Sequence, residues 1–270
     1  MRGRQMVVAV VIGAGLAAGA TGCGGGGGGG GGSGGSASAG GPGEASGATG
    51  SPNGVESLEP RQIVDRSVQA LKDSHSVHVT GRVDSAGETT TLDLAMDSDA
   101  HCAGTMSLDG QGGFRVVKVG EQLWIKPDQE FWQTHGGPAI AQLVGDKYLR
   151  TTTDNTDFSD VASLCDLNGM ADLIGTDNGP LSAGTRTTVE GAPVVSVITT
   201  QDGAPGTLYV AVEGRPYPVR LEKVGGTDTG QLDFKDFGAR VAATAPSEDQ
   251  SLDLDELQRE SGATGRPSTV

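Results

Sequence analysis

The sequence is short of aromatic residues, of positive charge and of long apolar runs, and each shortage excludes something. Aromatics make up 4% of its 270 residues, and 19 Lys and Arg stand against 34 Asp and Glu, for a net charge of −15 and a pI near 4.5. Phosphate backbones are bound through clustered cations, and the chain has no basic cluster, so nucleic acid is not an expected partner. Attraction to anionic lipid headgroups by charge alone is disfavoured for the same reason. The uncharged apolar run from Met6 to Gly19 is about 14 residues, short of the roughly 20 that a spanning helix needs. Outside the glycine tract there is no Gly-x-Ser-x-Gly elbow, and neither Ser-x-x-Lys nor His-Glu-x-x-His occurs, so an enzyme is disfavoured. His75, His78, His101 and His135 show no zinc-ligand spacing. Asp154, Asp157 and Asp160 fail the calcium-loop pattern, because Thr156 and Phe158 stand where ligands are needed and no turn glycine follows. No cofactor or metal is expected.

The start of the chain is informative. Arg2 and Arg4 make a basic region, the apolar run follows, and Ala20-Thr21-Gly22-Cys23 ends it with small residues before a cysteine. That group resembles the lipobox of bacterial lipoproteins, departing from it at Ala20, where leucine is commonest. The resemblance implies that residues 1–22 are a signal peptide, that cleavage leaves Cys23 first, and that acyl chains on Cys23 anchor the protein to the extracytoplasmic face of the cell membrane. The alternative is an ordinary secretory signal with a stray cysteine. Gly13 to Gly19 superficially matches a dinucleotide loop, but its spacing is wrong by one and no strand precedes it.

Every residue from Gly24 to Gly32 is glycine, and Ser, Ala, Gly and Pro dominate to about Gly54. Residues 23–56 therefore read as a lipidated cysteine with a flexible spacer, whose end-to-end distance is roughly 30 Å. Residues 246–270 mix acids with Ser, Gly and Pro and read as a disordered acidic tail. Residues 57–245 remain, the size of one domain with its own core.

That domain opens with a helix, for Pro60 suits a first turn and Ile63, Val64, Val68 and Leu71 make one apolar stripe. From Ser74 the period changes to two, giving strands around Val77 to Val83, Leu92 to Met96, Met106 to Leu108, Phe114 to Val119 and Leu123 to Ile125. Glu130 to Thr134 is expected to close a further hairpin through Pro127-Asp128-Gln129. Between Pro138 and Gly175 the spacing is helical again, and from Thr187 five more strands follow between Gly- and Pro-rich turns. The expectation is an α+β domain of about ten antiparallel strands, curled into a half-barrel and covered by the N-terminal helix and a short helical insert. Parity places Val79, Leu92, Leu94, Met106, Val197, Leu208, Val210, Val219, Leu221 and Phe234 on one apolar face.

Cys102 shares parity with Met106 and Leu108, and Cys165 lies on the apolar stripe of an insert helix. In an oxidising compartment the two should pair and staple the helical cover to the sheet, with two separate buried thiols as the alternative. The closed loop would span about 63 residues, for which chain entropy gives roughly 4 kcal/mol. Trp124, Trp132 and Tyr148 read equally as core or rim residues and as the lining of a ligand site.

Lipobox, linker, first helix, meander, helical insert and second meander follow in that order. Together with Val119-Gly120-Glu121-Gln122-Leu123-Trp124-Ile125 and Gly214-Arg215-Pro216-Tyr217-Pro218, the layout resembles the LolA-like superfamily, and within it the LppX/LprG-type envelope lipoproteins of actinobacteria. The resemblance covers about residues 57–245. It implies a half-barrel whose concave apolar face holds acyl chains of lipids or glycolipids in transit, with no catalytic residues, and the ten parity-matched residues would line that face. The low aromatic content and the long glycine tract depart from the pattern. The other reading is a surface lipoprotein of the same fold with a filled interior, binding a protein or cell-wall partner.

Overall fold

The computed structural model describes residues 50–263, apart from 86, 176–178, 202–203 and 227. The signal segment, Cys23 and the glycine tract lie outside the described residues. The elements in chain order are α1 (Pro60–Lys72), β1 (Ser76–Ser85), β2 (Glu88–Asp97), β3 (His101–Leu108), β4 (Gly112–Val119) and β5 (Gln122–Pro127). Next come α2 (Gln129–Phe131), a π-helical turn (Trp132–Gly136), α3 (Gly137–Val144), β6 (Tyr148–Thr152), α4 (Ser159–Leu164) and α5 (Leu167–Gly175). The second half holds β7 (Leu181–Val189), β8 (Ala192–Gln201), β9 (Ala204–Ala211), β10 (Pro218–Lys223), β11 (Asp228–Lys235), β12 (Ser251–Asp253) and α6 (Leu254–Ala263).

Local chemistry sets α1. Pro60 has no N–H to lose at the first position, and Glu59 and Gln62 cap each other's backbone donors in a reciprocal box. Its apolar stripe then buries Ile63, Val64, Ala70 and Leu71 against the sheet side.

All twelve strands form one sheet, in the order β12-β6-β5-β4-β3-β2-β1-β11-β10-β9-β8-β7. Two meanders are joined in the middle where β1 pairs antiparallel with β11. The α+β class and the antiparallel sheet are as the sequence indicates, but the sheet is neither closed nor strongly curled. With the first and last long strands paired at the centre, β7 and β12 are left as separate edges. The apolar face also needs little curl to become covered, because α1, α4 and α5 supply packed residues to it.

Three segments differ from expectation. Residues 129–136 are helical rather than a strand, because the Asp128 carboxylate caps the turn by accepting from Phe131 N at 2.7 Å while its second oxygen takes Gly113 N at 2.8 Å. Inside the helical insert, Tyr148–Thr152 is strand β6, whose alternation of five residues is too short to stand out between helices. The segment expected to be a disordered tail is structured at 248–263, with Ser251 to Asp253 pairing parallel to Tyr148 to Arg150 before α6 begins.

Register sorts the sheet into two unlike faces. Along one row Val197, Leu208, Leu221, Leu232, Gly81, Leu92, Met106 and Phe114 lie opposite one another, strand by strand. Gly81 and Gly104 interrupt this apolar face because backbone comes too close there for a side chain: a Cβ on Gly104 would collide with the Asp93 carbonyl. The adjacent row on the other face reads Tyr209, Arg220, Asp233, Thr80, Asp93, Thr105, Arg115 and Lys126. That face is polar, as an antiparallel sheet with one wet side requires. Residues 236–250 leave β11 next to β1 and re-enter as β12 next to β6, so this connection spans the width of β1 to β5. It sets out on the polar face, where Asp236 meets His78 at 3.2 Å and the Ala239 carbonyl accepts from Ser76 Oγ at 2.6 Å. Val117 and Trp124, of the same face, are buried.

Candidate binding surfaces

The apolar face holds nine of the ten residues expected there: Val79, Leu92, Leu94, Met106, Val197, Leu208, Val210 and Phe234 are buried in one cluster, and Leu221 packs against it partly buried. Val219 is the exception. The register of β10 against β9 shifts between Pro218 and Arg220, so Pro218 stands opposite Val210 in a core position and Val219 becomes the extra residue of a bulge. It is half-buried and outside the core cluster.

The cover over this face comes from α1 and from α5, which contributes Leu167, Met170, Ala171 and Ile174. Lys72 Nζ ties the two helices by an ion pair to Asp172 at 2.7 Å. Cys102 of β3 and Cys165, just past α4, form a disulfide across a Cα separation of 5.5 Å, stapling the insert to the sheet as parity implied. Beside it, the Lys118 amine is buried in β4 and donates to the Cys165 carbonyl at 3.1 Å, a carbonyl left open where α4 ends. The one sequence signal that marks Lys118 as an inward-pointing cation is its parity with Val116 in β4, and it stands opposite Cys102.

The expected ligand space is therefore filled by side chains in this form, with Val79, Leu94 and Val210 each 0% exposed. A cleft of about 640 Å³ lies instead at the β3–β6 part of the sheet, with the α2–α3 segment along it. Of the ten expected lining residues, only Met106 reaches it. Its charged and ring-bearing lining includes Arg115, Lys126, Tyr148, Trp132 and Phe114. Lys126 Nζ pairs with Asp146 at 2.5 Å and stands 5.6 Å from the centre of the Tyr148 ring. Trp132 and Tyr148 line this cleft, whereas Trp124 lies buried outside it. Arg115 and Lys126 were not singled out in the sequence. The signal was there, because a tight turn at Gly120-Glu121 puts Val119 opposite Gln122 and hence Arg115 opposite Lys126.

Three of the four histidines have side-chain partners, and His75 is exposed. His78 lies between Asp93 at 2.7 Å and Asp236 at 3.2 Å, and His101 pairs with Asp97 at 3.0 Å. His135 stacks on Phe131 with ring centres 4.4 Å apart. Among the described residues, no group of three or more His, Cys, Asp or Glu is arranged to hold a metal ion, and no helix is long and apolar enough to cross a membrane. On the polar face desolvation of Arg220 by itself lowers its pKa, but hydrogen bonding to Asp233 together with the charges of Asp233, Glu190 and Glu222 outweighs this and raises it. Burial, reinforced by Glu222, pushes the Tyr209 hydroxyl up. These shifts belong to a structural charge network rather than to the cleft.

No protein-family model matches the sequence, and no curated protein matches it. Among solved structures, LprF from Mycobacterium bovis is similar at a TM-score of 0.50 and 16% identity, over 73% of this chain and 100% of that one. Lipoprotein LppX from Mycobacterium tuberculosis aligns at a TM-score of 0.49 and 16% identity, over 68% of this chain and 98% of that one. At such identity the likeness is one of fold: the described domain shares its fold with LprF.

Proposed function

We propose that this chain is an envelope lipoprotein, held at the extracytoplasmic face of the membrane by an acylated Cys23, that binds or carries the acyl part of a lipid or glycolipid. The observation that carries the reading is the apolar sheet face, on which nine registered residues from seven strands lie beneath a cover made only of short helices and one disulfide staple. Leaving such a face wet is costly at about 25 cal/mol per Å² of apolar surface, so whatever parts the helices from it must replace them with apolar material. Acyl chains are that material. The disulfide supports export, since paired thiols persist in oxidising compartments.

The test is lipid content. Native mass spectrometry of the protein purified from a bacterial host, with organic extraction of the same sample, should show bound lipid. Val210→Trp should reduce it by filling space without adding charge, at a stability cost of about 1 to 3 kcal/mol. A second reading, a lipoprotein that binds a protein or cell-wall partner, is favoured by the packing of the core face, where the acyl-lining positions already touch one another. Folded wild type that carries no lipid and takes none from vesicles decides for that reading.

A further inference from the structure

Of the residues proposed to line an acyl site, the cleft beside β3 to β6 holds Met106 alone, and its other side chains define a separate chemistry. Arg115 and Lys126 are directly opposite each other in the β4–β5 register. Such pairs have Cβ atoms about 5 Å apart, and like charges there repel. Lys126 is turned away to Asp146, its partner at 2.5 Å. Arg115 is exposed and has no carboxylate partner among the described residues. The neighbouring acid, Asp128, is committed to the backbone N–H groups of Gly113 and Phe131. The cleft therefore presents one guanidinium outside any ion pair of the described residues, beside the Lys126–Asp146 pair and an Asp128 carboxylate that keeps its charge.

A second group points the same way. Trp132 lines the cleft, and its Nε1 is buried with no hydrogen-bond partner among the described residues. A buried donor left unmet costs about 1 to 3 kcal/mol, which a ligand acceptor would recover once a small turn of the indole brings its N–H to the cleft. Thr105 and Ser107 add two exposed hydroxyls, and Trp132 and Tyr148 add ring faces. A guanidinium, an indole N–H, hydroxyls and flat apolar rings together suit a ligand that is polar at its edges, apolar on its ring faces and negatively charged at one point. A volume of about 640 Å³ lies within the range of small-molecule sites.

We propose that this cleft binds a sugar carrying a phosphate or a carboxylate, with the anion on Arg115, a ring oxygen or hydroxyl accepting from Trp132 Nε1, and the sugar ring against Trp132 or Tyr148. A free anionic saccharide and the headgroup of an anionic glycolipid offer the same chemistry. The site shares only Met106 and Phe114 with the apolar face, and the polar groups proposed to hold the ligand lie outside it, so the two proposals are tested separately.

Calorimetric titration of the purified protein with glucose 6-phosphate, glucuronate, glucose and inorganic phosphate tests this. The two anionic sugars should bind, and glucose and phosphate should each bind at least about tenfold more weakly. Arg115→Ala should weaken the anionic sugars about tenfold or more, Arg115→Lys less, and Trp132→Phe, which keeps a ring but loses the donor, by an intermediate factor. An unchanged melting midpoint in Arg115→Ala shows that the loss is local, as expected for an exposed side chain. Vesicles containing phosphatidylinositol form the second arm: flotation of wild type but not of Arg115→Ala, with no response to free sugars, identifies a lipid headgroup as the source of the same chemistry. The proposal is overturned if inorganic phosphate binds as tightly as the sugar phosphate, if Arg115→Ala keeps full affinity, or if neither free sugars nor vesicles bind. Lipid extraction of the same protein reports separately on the core face.

Discussion

Val219 and Leu221 share parity, and counting by two along the chain puts both on the apolar face. Only Leu221 packs there, because the bulge between Pro218 and Arg220 inserts Val219 as an unmatched residue. The side-chain period of a strand survives only while its partner advances in step, so one extra residue is enough to change a neighbour's environment. The consequence is measurable. Val219→Ser should alter stability by less than about 1 kcal/mol in urea unfolding, as a half-exposed site away from the core does. Leu208→Ser, at a position 5% exposed in the core cluster, should cost about 3 to 5 kcal/mol through lost burial and a desolvated hydroxyl. Equal effects would contradict the bulge.

Strand β12 is the weakest member of the sheet on structural grounds. It has three residues, pairs in parallel where the long strands pair antiparallel, and sits at an edge. Much of its attachment is the ion pair from Arg150 to Asp253 at 2.9 Å. The hydrogen bond from Arg150 holds the Asp253 carboxyl below its ordinary value of 3.8, with Glu256 N adding to the effect. A depressed folded pKa means that this contribution is fully present above about pH 3.8 and is lost as pH falls through the lower, folded value. Hydrogen exchange of β12 and the neighbouring β6 amides should therefore accelerate in acid before the central strands respond. Arg150→Met should give the same local acceleration at neutral pH. Uniform protection across the sheet at low pH would refute the assignment. The helical insert behaves differently, because the Cys102–Cys165 bond ties it covalently to β3 at every pH.

At the scale of the whole molecule, the anchor proposed at Cys23 is expected to be separable from the folding of the domain. The described domain is a compact unit that begins at Gly50, and its first residues join it locally, with Pro52 bridging to Glu213 and Asn53 donating to the Ala211 carbonyl at 2.9 Å. If Cys23 carries the acyl anchor, Cys23→Ser should move the protein from the membrane fraction to the soluble fraction while the melting midpoint of the domain stays the same. Equal membrane content of the two forms would end the lipoprotein reading.

Much of this protein was legible before folding. Periodicity alone placed α1, the two meanders and the insert, and parity chose nine of the ten core-facing residues and both partners of the disulfide, because a side chain's face depends on local spacing once a strand is regular. Three things were decided only by tertiary contact. A carboxylate from the end of β5 turned residues 129–136 into helix, a bulge moved Val219 out of the core, and an acidic tail became ordered by pairing with the edge of β6. The cleft belongs with these. Hairpin register joins Arg115 to Lys126, but Trp132 and Tyr148 reach them only because a capped helical turn and the pairing of β6 with β5 bring four separate segments to one end of a sheet.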